Sequence, residues 1–466
     1  MNNYNLILDT DSYKYSHYAQ LPSGTTHISS YIESRGGDFP FARFFGLQGL
    51  IKQHFLRPVT VEQVEEGASI ATQHGLPYNH AGWMRIVEKH HGLLPVQIEA
   101  VPEGVDVPAG NVLAQIVNTD PEFAWLPAFI ETSLLRLWYP TTVCTLSATA
   151  KRSIMEQLDR SCDDPAAVIP FRLHDFGARG VSSYESAAIG GLAHLVNFLG
   201  TDTVAALTYA AQYYHEPMAG YSIPAMEHST VTAWGRDGEA RAFENMIDHF
   251  AQPGKVFAIV ADSYDIDYAV EEIIGRQLRE KIVNSGATLV VRPDSGDPKD
   301  VVPRVLASLA RNFGATKNQK GYLVLAPSVR VIQGDGMELS TIASTGEAIL
   351  KAGFSAENCA YGMGGGLLQK VNRDTMKFAM KVSAAMINGQ WIDVFKSPKG
   401  DMSKRSKAGR LALTSDLQTV RLEELGAREN LLRPVLRNGE LLIDQSLTTI
   451  RERAAQSDAS CMFASA

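Results

Sequence analysis

Cysteine is scarce in this sequence of 466 residues, and the few that occur lie far apart. They are Cys144, Cys162, Cys359 and Cys461. No two of them form a CxxC pair, and no cysteine–histidine cluster has the spacing of a zinc site. Scattered thiols are typical of a reducing compartment, so we expect a cytoplasmic protein.

Long apolar runs and an excess of basic charge are missing as well. The N-terminus lacks the basic start and apolar run of a signal peptide. No stretch of about 18 uninterrupted apolar residues occurs, so we expect no transmembrane helix and no membrane partner. The net charge is −8. Because binding to a nucleic-acid backbone requires a basic face, we also expect no nucleic-acid partner.

Three common catalytic signatures are absent. The sequence has no GxxxxGK[ST] phosphate loop, no GxSxG elbow and no HExxH helix. These absences exclude the commonest forms of nucleoside triphosphatase, serine hydrolase and zinc protease. Hydrophobic residues make up 45% and charged residues 20% of the chain. Such values are ordinary for a globular protein with a large core.

A recurring unit organises the middle of the chain: a short apolar β-type run ends in polar or glycine residues, and a helical pattern follows. The predicted strands are Phe171–Phe176, Lys255–Ala261, Ala287–Val291, Val329–Ile332 and Asn358–Tyr361, and the predicted helices include Ser182–Val196, Thr203–Tyr213 and one from about Lys299. This repetition implies a parallel sheet, and the number of units favours a closed or nearly closed barrel. In such barrels the chemistry lies where the strands end.

The two ends of the chain have a different predicted pattern of secondary structure from the middle. Residues 1–150 contain several short β-type runs, mixed helices and turns such as Leu21-Pro22-Ser23-Gly24, and strands and turns return near Gln390–Phe395. We therefore expect an α/β barrel-like catalytic domain over 151–385. A second α+β domain would be formed from both chain ends, 1–150 plus 386–466.

A glycine triplet, Gly364-Gly365-Gly366, follows the last predicted strand. Without side chains, its backbone N–H groups can approach phosphate oxygens closely, although a glycine triplet alone favours a plain tight turn. A basic stretch comes next: Lys370, Arg373, Lys377, Lys381, Lys396, Lys399, Lys404, Arg405, Lys407 and Arg410. Such a run is usually a solvated face. Beside the glycine loop, a phosphate or diphosphate site becomes an equal alternative.

Carboxylates stand at several predicted strand ends: Asp262 and Asp265, Asp294 close to Arg292, and Asp335 between two glycines. They can accept hydrogen bonds from ribose hydroxyls or hold Mg²⁺ through water. For each of these carboxylates taken alone, helix capping or a role in a turn is the alternative. Phe176 offers a face for a flat ring, with core packing as the alternative. His228 suits acid–base chemistry or phosphate binding, with a structural hydrogen bond as the alternative.

Together these motifs resemble those of the nicotinamide phosphoribosyltransferases, a type II phosphoribosyltransferase family, in order along nearly the whole chain. The matching strings are Asp11-Ser12-Tyr13-Lys14, Leu173-His174-Asp175-Phe176-Gly177, Arg179-Gly180-Val181-Ser182-Ser183, Gly200-Thr201-Asp202-Thr203, Glu227-His228-Ser229-Thr230, Asp262-Ser263-Tyr264-Asp265-Ile266, Arg292-Pro293-Asp294-Ser295-Gly296, Gln333-Gly334-Asp335-Gly336 and Gly364-Gly365-Gly366-Leu367-Leu368-Gln369-Lys370. The resemblance implies the type II fold, a homodimer with its site at the subunit interface, and Mg²⁺ with unknown ligands. It also implies the reaction of nicotinamide with phosphoribosyl pyrophosphate to give nicotinamide mononucleotide and pyrophosphate.

The resemblance also implies residue roles. Phe176 and the partner subunit's Tyr13 would stack on the nicotinamide ring, and Asp202 would accept from its carboxamide. His228, Asp265 and Asp294 would be catalytic, and ATP would phosphorylate His228 as a facultative co-substrate. The remaining substrate-binding residues would be Asp11, Arg179, Arg292, Gly334, Asp335, Gly364, Gly365 and Arg373. Pyrophosphate or ATP phosphates would be bound by Arg35, Arg179, His228, Arg292, Lys396, Lys404 and Arg410.

Two departures from the family pattern and two rival functions accompany this interpretation. Ala261 stands where a serine is expected, and the segment Gly36–Phe44 looks short. The nearest rival is a nicotinate phosphoribosyltransferase. Asp202 favours nicotinamide, because a carboxylate accepts from an –NH₂ group but repels a second carboxylate. The other rival is an inactive nucleotide-binding protein, against which the complete set of site residues argues.

Overall fold

The computed structural model describes residues 4–396 and 406–464, and it divides into two compact units. The first comprises Met1–Thr145, Gln212–Glu216 and Asn372–Ala466, and the second Leu146–Ala211 and Pro217–Val371. The expected α/β core, which is the second unit, and the expected unit drawn from both chain ends, which is the first, are thus confirmed. The expected domain limits, 1–150 plus 386–466 and 151–385, stay predictions. Residues 372–385 group here with the first unit, because most of them form a strand of its sheet.

Nineteen strands are described. They are β1 (Thr25–Ser34), β2 (Phe41–Arg43), β3 (Val96–Ala100), β4 (Asp106–Pro108), β5 (Val112–Asn118), β6 (Leu173–Asp175), β7 (Gly200–Thr201), β8 (Val256–Val260), β9 (Thr288–Arg292), β10 (Ala315–Lys317), β11 (Leu323–Leu325), β12 (Val329–Gln333), β13 (Cys359–Met363), β14 (Phe378–Ile387), β15 (Gln390–Asp393), β16 (Leu411–Leu413), β17 (Thr419–Arg421), β18 (Arg433–Arg437) and β19 (Glu440–Leu441).

Seventeen α-helices are described, several joined by short 3₁₀ or π-helical turns. They are α1 (Leu47–Leu50), α2 (Val61–Gln73), α3 (His80–His90), α4 (Leu126–Phe129), α5 (Glu131–Leu135), α6 (Trp138–Ser161), α7 (Pro165–Val168), α8 (Tyr184–His194), α9 (Val204–Tyr214), α10 (His228–Thr232), α11 (Glu239–Phe250), α12 (Ile266–Tyr268), α13 (Arg279–Ser285), α14 (Pro298–Phe313), α15 (Leu339–Lys351), α16 (Gly365–Leu368) and α17 (Leu447–Ala464). Within the described residues, we find no helix with both the length and the apolar character needed to cross a bilayer.

The second unit is built on a six-stranded sheet in the order β7-β6-β13-β12-β9-β8. Every neighbouring pair in it is parallel. A further extended segment, 221–226, bonds to both edges: Thr201 N–H donates to the Tyr221 carbonyl at 3.0 Å, and Met226 N–H donates to the Ala258 carbonyl at 3.1 Å. The sheet is thereby closed into the barrel that the repeated strand–loop–helix pattern predicts.

Local sequence explains these elements. The barrel strands are rich in β-branched residues and buried on both faces, as in Val256–Val260, where only the first residue is exposed. Such continuous apolar runs are typical of parallel sheets. Helix α14 begins with a proline after the Asp297 cap, and its buried residues recur at helical spacing, among them Val301, Val305 and Leu309. That apolar face packs toward the sheet while the opposite face meets solvent.

The first unit contains a seven-stranded sheet in the order β15-β14-β1-β5-β3-β18-β19. All its pairings are antiparallel. Strand β1 pairs with β14 along its whole length, from Ser34 opposite Phe378 to Thr25 opposite Ile387. The N-terminal and C-terminal parts of the chain therefore share one sheet.

A buried ion triad joins distant parts of the first unit. The Arg43 side chain is fully buried; its Nε lies 2.6 Å from Asp106 Oδ1, and its Nη2 lies 2.6 Å from Asp458 Oδ1 on α17. These neighbouring carboxylates hold the pKa of the guanidinium above its usual value despite burial. The triad ties the C-terminal helix to strands β2 and β4.

Replacing Asp458 with Asn should destabilise the protein by roughly 2–4 kcal/mol, because a buried guanidinium then loses one of its two charged partners. The change is measured as a shift of the urea unfolding midpoint. Glu429→Gln breaks an exposed pair with Arg433 in the same unit and should change stability by less than about 1 kcal/mol. Equal effects of the two substitutions would contradict a stabilising triad.

Candidate active site

The closed parallel barrel brings the carboxyl ends of its strands to one rim. Phe176 follows β6, Asp202 follows β7, Asp262 lies just beyond β8, Asp294 beyond β9 and Asp335 beyond β12. Parallel strands necessarily end on the same side of a sheet. The residues that the sequence places at separate strand ends therefore belong to one site in the second unit.

The Phe176 ring rests on glycine backbone. A Cβ added at Gly362 would lie 2.0 Å from the ring carbon Cε2, and one added at Gly334 would lie 3.2 Å from it. The Phe176 N–H also donates to the Met363 carbonyl at 3.0 Å. A side chain at Gly362 would displace the ring, and one at Gly334 would be in tight contact with it. One part of the ring is thus fixed by the barrel, and another part lines a cavity.

That cavity measures about 430 Å³ and runs along the barrel interior. Its wall is mostly apolar, with Asp202 and Arg292 toward the carboxyl ends of the strands and Arg172 and Arg330 toward the other end. It is lined by Phe171, Arg172, His174, Phe176, Asp202, Tyr221, Ser222, Ile223, Ala225, Val256, Ala258, Thr288, Val290, Arg292, Arg330, Val331, Ile332 and Ala360. A narrow apolar cavity with few polar groups suits a small flat ring.

Asp202 contributes a carboxylate to the cavity lining, which also includes Phe176. Its backbone N–H donates to the Asp175 carbonyl at 2.9 Å, which fixes the loop after β7 against the loop after β6. Its Oδ1 accepts a hydrogen bond from the Ser222 hydroxyl. With one oxygen so engaged, Asp202 Oδ2 can accept a further donor from a ligand.

His228 and Asp262 form a pair at the rim. Nε2 of His228 lies 2.9 Å from Asp262 Oδ1, and the carboxylate is nearly buried while the imidazole is about half exposed at 46%. His228 is also the first residue of α10. The carboxylate therefore orients the ring, in the manner of the third member of a catalytic triad.

Asp294 lies among charged groups. Its Oδ1 is 3.4 Å from Nε of Arg292. Burial raises the pKa of Asp294, with the Asp262 and Asp335 carboxylates adding to the rise and Arg292 and His228 opposing it. Asp294 also has a positive φ of 55°. A non-glycine residue in this region is strained, and such strain is often found at functional sites.

Gln333 connects two of the acidic loops. It is fully buried, and its Nε2 donates to the carbonyls of Asp294 at 3.2 Å and Asp335 at 3.1 Å. One side chain therefore sets the spacing of two residues assigned to ribose. The sequence pointed to no separate role for Gln333 or Ser222. Asp262 was visible as a strand-end carboxylate, whereas no local pattern marks Ser222.

The glycine loop borders the same rim. Gly364 precedes the short helix α16, and a Cβ added at Gly365 would meet no atom within 4 Å. This open space accommodates a phosphate group. Arg179 is exposed on the turn Ala178–Gly180, and the Cα of Gly365 is the heavy atom closest to a Cβ added at Gly180, at 3.6 Å. Lys370, from the basic run, pairs instead with Glu338.

Two residues of the loop after β8 have structural partners. Asp265 caps α12, since its Oδ1 accepts from the N–H groups of Asp267 at 3.0 Å and Tyr268 at 3.1 Å. Helix capping, the alternative raised for each aspartate, thus holds for Asp265, and its catalytic role stays a prediction. Ala261, in place of the expected serine, is fully buried and donates its N–H to the Arg292 carbonyl at 3.0 Å.

The remaining candidates lie in the first unit. Tyr13 is 56% exposed, and Asp11 accepts from the Thr132 hydroxyl at 2.9 Å. Exposure of an aromatic ring in a short 3₁₀ helix (Ser12–Ala19) is consistent with a role toward another molecule.

A basic cluster of the first unit is organised by Glu33. Arg35 Nε lies 2.6 Å from Glu33 Oε1, and Lys407 pairs with the other oxygen. Arg410 lies over the Trp391 ring at 5.4 Å. Arg373 pairs with its neighbour Asp374 at 3.1 Å, and Lys396 donates its N–H to the Ser406 hydroxyl at 2.9 Å. Lys404 lies outside the described residues.

Fold and rim together define a class of protein: an α/β barrel enzyme whose mostly apolar cavity lies beside a rim of carboxylates, arginines and glycine loops. Two family models match the chain. The model described as the nicotinate phosphoribosyltransferase (NAPRTase) family covers 171–440. The model described as the nicotinamide phosphoribosyltransferase N-terminal domain covers 5–98.

Similar curated proteins agree with these matches. A nicotinamide phosphoribosyltransferase of Xanthomonas campestris pv. campestris (strain 8004) is 51% identical over 97% of this chain and 98% of its own length. One of Acinetobacter baylyi (strain ATCC 33305 / BD413 / ADP1) is 31% identical over 96% of each chain. The chain belongs to the nicotinamide phosphoribosyltransferase family.

Solved structures share the fold at low sequence identity. A nicotinate-nucleotide pyrophosphorylase from Pyrococcus furiosus matches with a TM-score of 0.61 and 15% identity, covering 98% of this chain and 97% of the other. Human nicotinic acid phosphoribosyltransferase matches with a TM-score of 0.56 and 19% identity, over 97% and 93% of the two chains. The type II phosphoribosyltransferase fold expected from the sequence is confirmed.

Replacing Gly362 with Ala should raise the Michaelis constant for the ring substrate by roughly tenfold or more, because the new methyl would overlap Phe176 and displace its ring. Substrate binding can be measured by calorimetry beside a thermal unfolding curve that confirms folding. Gly180→Ala is the matched control, since the closest heavy atom to its Cβ is 3.6 Å away. Unaltered binding in Gly362→Ala would show that Phe176 does not position the ring.

Proposed function

We propose that this enzyme transfers the phosphoribosyl group of phosphoribosyl pyrophosphate to nicotinamide, giving nicotinamide mononucleotide and pyrophosphate. The observation that carries the proposal is the pairing of a fixed aromatic ring, Phe176, with an acceptor carboxylate, Asp202, in the lining of one cavity. Nicotinamide has a flat ring for the first and a carboxamide –NH₂ for the second. The names of two similar curated relatives support the same substrate.

Amide recognition depends on what Asp202 can accept. Ser222 donates to its Oδ1, which leaves Oδ2 for the carboxamide of the substrate. Nicotinate would place a second carboxylate at this position, where like charges repel. A site built to accept a hydrogen bond discriminates strongly against a ligand that cannot donate one.

The rim supplies charge for the reaction itself. The ring nitrogen of nicotinamide forms a bond to ribose C1 while the bond from C1 to pyrophosphate oxygen breaks, and the leaving pyrophosphate takes the electron pair. Arg179, Arg292 and the Gly365 loop would stabilise the negative charge that gathers there. Asp294 and Asp335, held by Gln333, would bind the ribose hydroxyls.

Mg²⁺ and the assembly are further parts of the proposal. Over residues 4–396 and 406–464, no group of three or more His, Cys, Asp or Glu side chains is arranged to hold a metal ion. The chain thus lacks a protein-only cage in this range, and Mg²⁺ would arrive bound to pyrophosphate oxygens. A homodimer in which the partner's Tyr13 covers the ring accounts for an exposed tyrosine. Asp11, Arg35, Arg373, Lys396, Lys404 and Arg410 would bind substrate or phosphates in that assembly.

His228 is proposed as a phosphoryl acceptor from ATP. With Nε2–H donated to Asp262, Nδ1 carries the lone pair and can attack the γ-phosphorus of ATP as the bond to ADP breaks. The imidazole is accessible enough for this, since it is about half exposed. A phosphorylated His228 would then add charge beside the Mg²⁺–pyrophosphate site and couple ATP hydrolysis to synthesis.

The choice between nicotinamide and nicotinate as substrate tests the proposed function directly. Purified protein with Mg²⁺ and phosphoribosyl pyrophosphate should convert nicotinamide with at least tenfold greater kcat/KM than nicotinate. Asp202→Asn should lower kcat/KM for nicotinamide by roughly 10- to 100-fold, the value of a hydrogen bond to a charged acceptor, and raise it for nicotinate.

Asp300→Asn is the control for Asp202→Asn, because it makes the same change at an exposed position of α14 and should leave both efficiencies unaltered. A wild-type preference for nicotinate would refute the proposed function. Unaltered selectivity in Asp202→Asn would show that this carboxylate does not distinguish the amide of nicotinamide from the carboxylate of nicotinate.

Phosphorylation of His228 predicts a separate set of results. Incubation with γ-labelled ATP should give acid-labile label on the protein, and His228→Ala should abolish both the label and the stimulation of synthesis by ATP. Asp262→Asn should slow labelling by roughly tenfold, since the imidazole loses its orienting carboxylate. His249→Ala, at an exposed histidine of α11, serves as the control. Full labelling of His228→Ala would refute the assignment.

A further inference from the structure

Asp175 is a carboxylic acid buried directly behind the proposed ring site, and the proposed reaction gives it no role. It is the last residue of β6, and its side chain is fully buried. Alternation along the strand places it on the face opposite His174 and Phe176, which line the cavity. Asp175 therefore lies between the barrel and the helices around it and does not touch the cavity.

Two hydrogen bonds connect Asp175 to both loops of the ring site. Its Oδ1 accepts from the Gly177 N–H at 2.7 Å, in the loop that carries Phe176. Its backbone carbonyl accepts from the Asp202 N–H at 2.9 Å. The hydroxyls of Thr203 and Thr201, which flank Asp202, act to lower the pKa of the carboxyl group, although its Oδ2 has no hydrogen-bond partner among the described residues. One residue thus links the stacking ring to the amide acceptor.

The space around the second oxygen is closely packed. A Cβ added at Gly191 of α8 would lie 3.1 Å from Asp175 Oδ2 and 3.0 Å from the Thr203 methyl. Glycine at this position lets the helix approach the carboxyl group closely. The groups that most affect the pKa of this carboxyl are two threonine hydroxyls, one backbone N–H and the Asp202 carboxylate. None of these described groups is basic.

We propose that Asp175 is a positioning residue that sets base specificity: its hydrogen bonds fix Asp202 relative to Phe176, and its buried negative charge behind Asp202 strengthens the rejection of a carboxylate ligand. This inference rests on the proposed function and identifies a second determinant of the choice between amide and acid. A charge in a poorly solvated position is screened less than one at the surface, so it acts on a ligand beyond its own contacts.

The charge of Asp175 varies within an accessible pH range. Burial raises the pKa of this carboxyl to about 6, and the Asp202 carboxylate adds to the rise. The neighbouring His174, on the cavity face of β6, has its pKa lowered by burial, which disfavours its charged form. The charge on Asp175 is present above its pKa and lost below it. Rejection of nicotinate should accordingly strengthen as the pH rises through about 6.

Asp175→Asn tests the inference because it removes the charge and keeps the shape. The Asn oxygen can still accept from the Gly177 N–H, and its –NH₂ can donate to a threonine hydroxyl. At about pH 7.5 the ratio of kcat/KM for nicotinamide to that for nicotinate should fall about fivefold, mostly through faster use of nicotinate. Between about pH 5 and 7.5 this ratio should rise with pH in the wild type and stay nearly constant in the variant.

The ratio is informative because groups that act on both substrates alike cancel from it. Glu103→Gln is the matched control: Glu103 is a buried carboxyl whose pKa is raised by burial to about 7, and it lies outside the lining of the ring cavity. The Glu103→Gln variant should have the same selectivity and the same pH profile as the wild type. If Asp175→Asn does not fold, the pH profile of the wild type still tests the inference. A ratio of kcat/KM values that stays flat between about pH 5 and 7.5 overturns it.

Two failures can be told apart. A wild-type enzyme that prefers nicotinate overturns the proposed function, and the inference fails with it. A wild-type enzyme that prefers nicotinamide, together with an Asp175→Asn variant of equal selectivity and an equal pH profile, overturns the inference alone. Equal loss of kcat/KM for both substrates without a change in their ratio would assign Asp175 a purely structural role.

Discussion

The closed parallel register of the barrel is the constraint on which the rest of the second unit depends. Six parallel strands and the segment 221–226 bond edge to edge, so every strand must deliver its carboxyl end to the same rim. Loops from distant parts of the chain then meet without long-range contacts of their own. The closing segment also contributes Ser222 and leads directly into His228, so the same bonds that close the sheet position two residues of the site.

Crowding of acids at this rim has an energetic consequence. Burial raises the pKa of Asp294, the Asp262 and Asp335 carboxylates add to the rise, and Arg292 and His228 oppose it. On the proposed function, a ribose with its hydroxyl donors and a metal-bound pyrophosphate would offset this unfavourable concentration of negative charge.

Much of this arrangement was predictable from sequence, because it depends on local patterns. The strand ends at Phe176, Asp294 and Asp335 and the helices that follow were predicted within a few residues, since apolar runs and glycine-rich turns fix them. Gln333, Ser222 and the Asp262–His228 pair could not be derived, because their roles arise from neighbours distant in sequence. The hairpin β10–β11 was also missed, being too short for a periodic pattern. The resemblance to a family supplied the ligand, which no pattern of charges specifies.

Fold alone does not decide which pyridine base is used. A nicotinate-nucleotide pyrophosphorylase and a nicotinic acid phosphoribosyltransferase share this fold at TM-scores of 0.61 and 0.56, so the fold by itself does not specify nicotinamide. On the proposed function, the choice depends on the few groups that would meet the carboxamide and on the charges behind them. In this chain the proposed groups are acidic: Asp202 in the cavity and Asp175 buried beneath its loop, linked by a backbone hydrogen bond. A negative field at this end of the ring favours a donor and opposes an acid, whatever the rest of the barrel does.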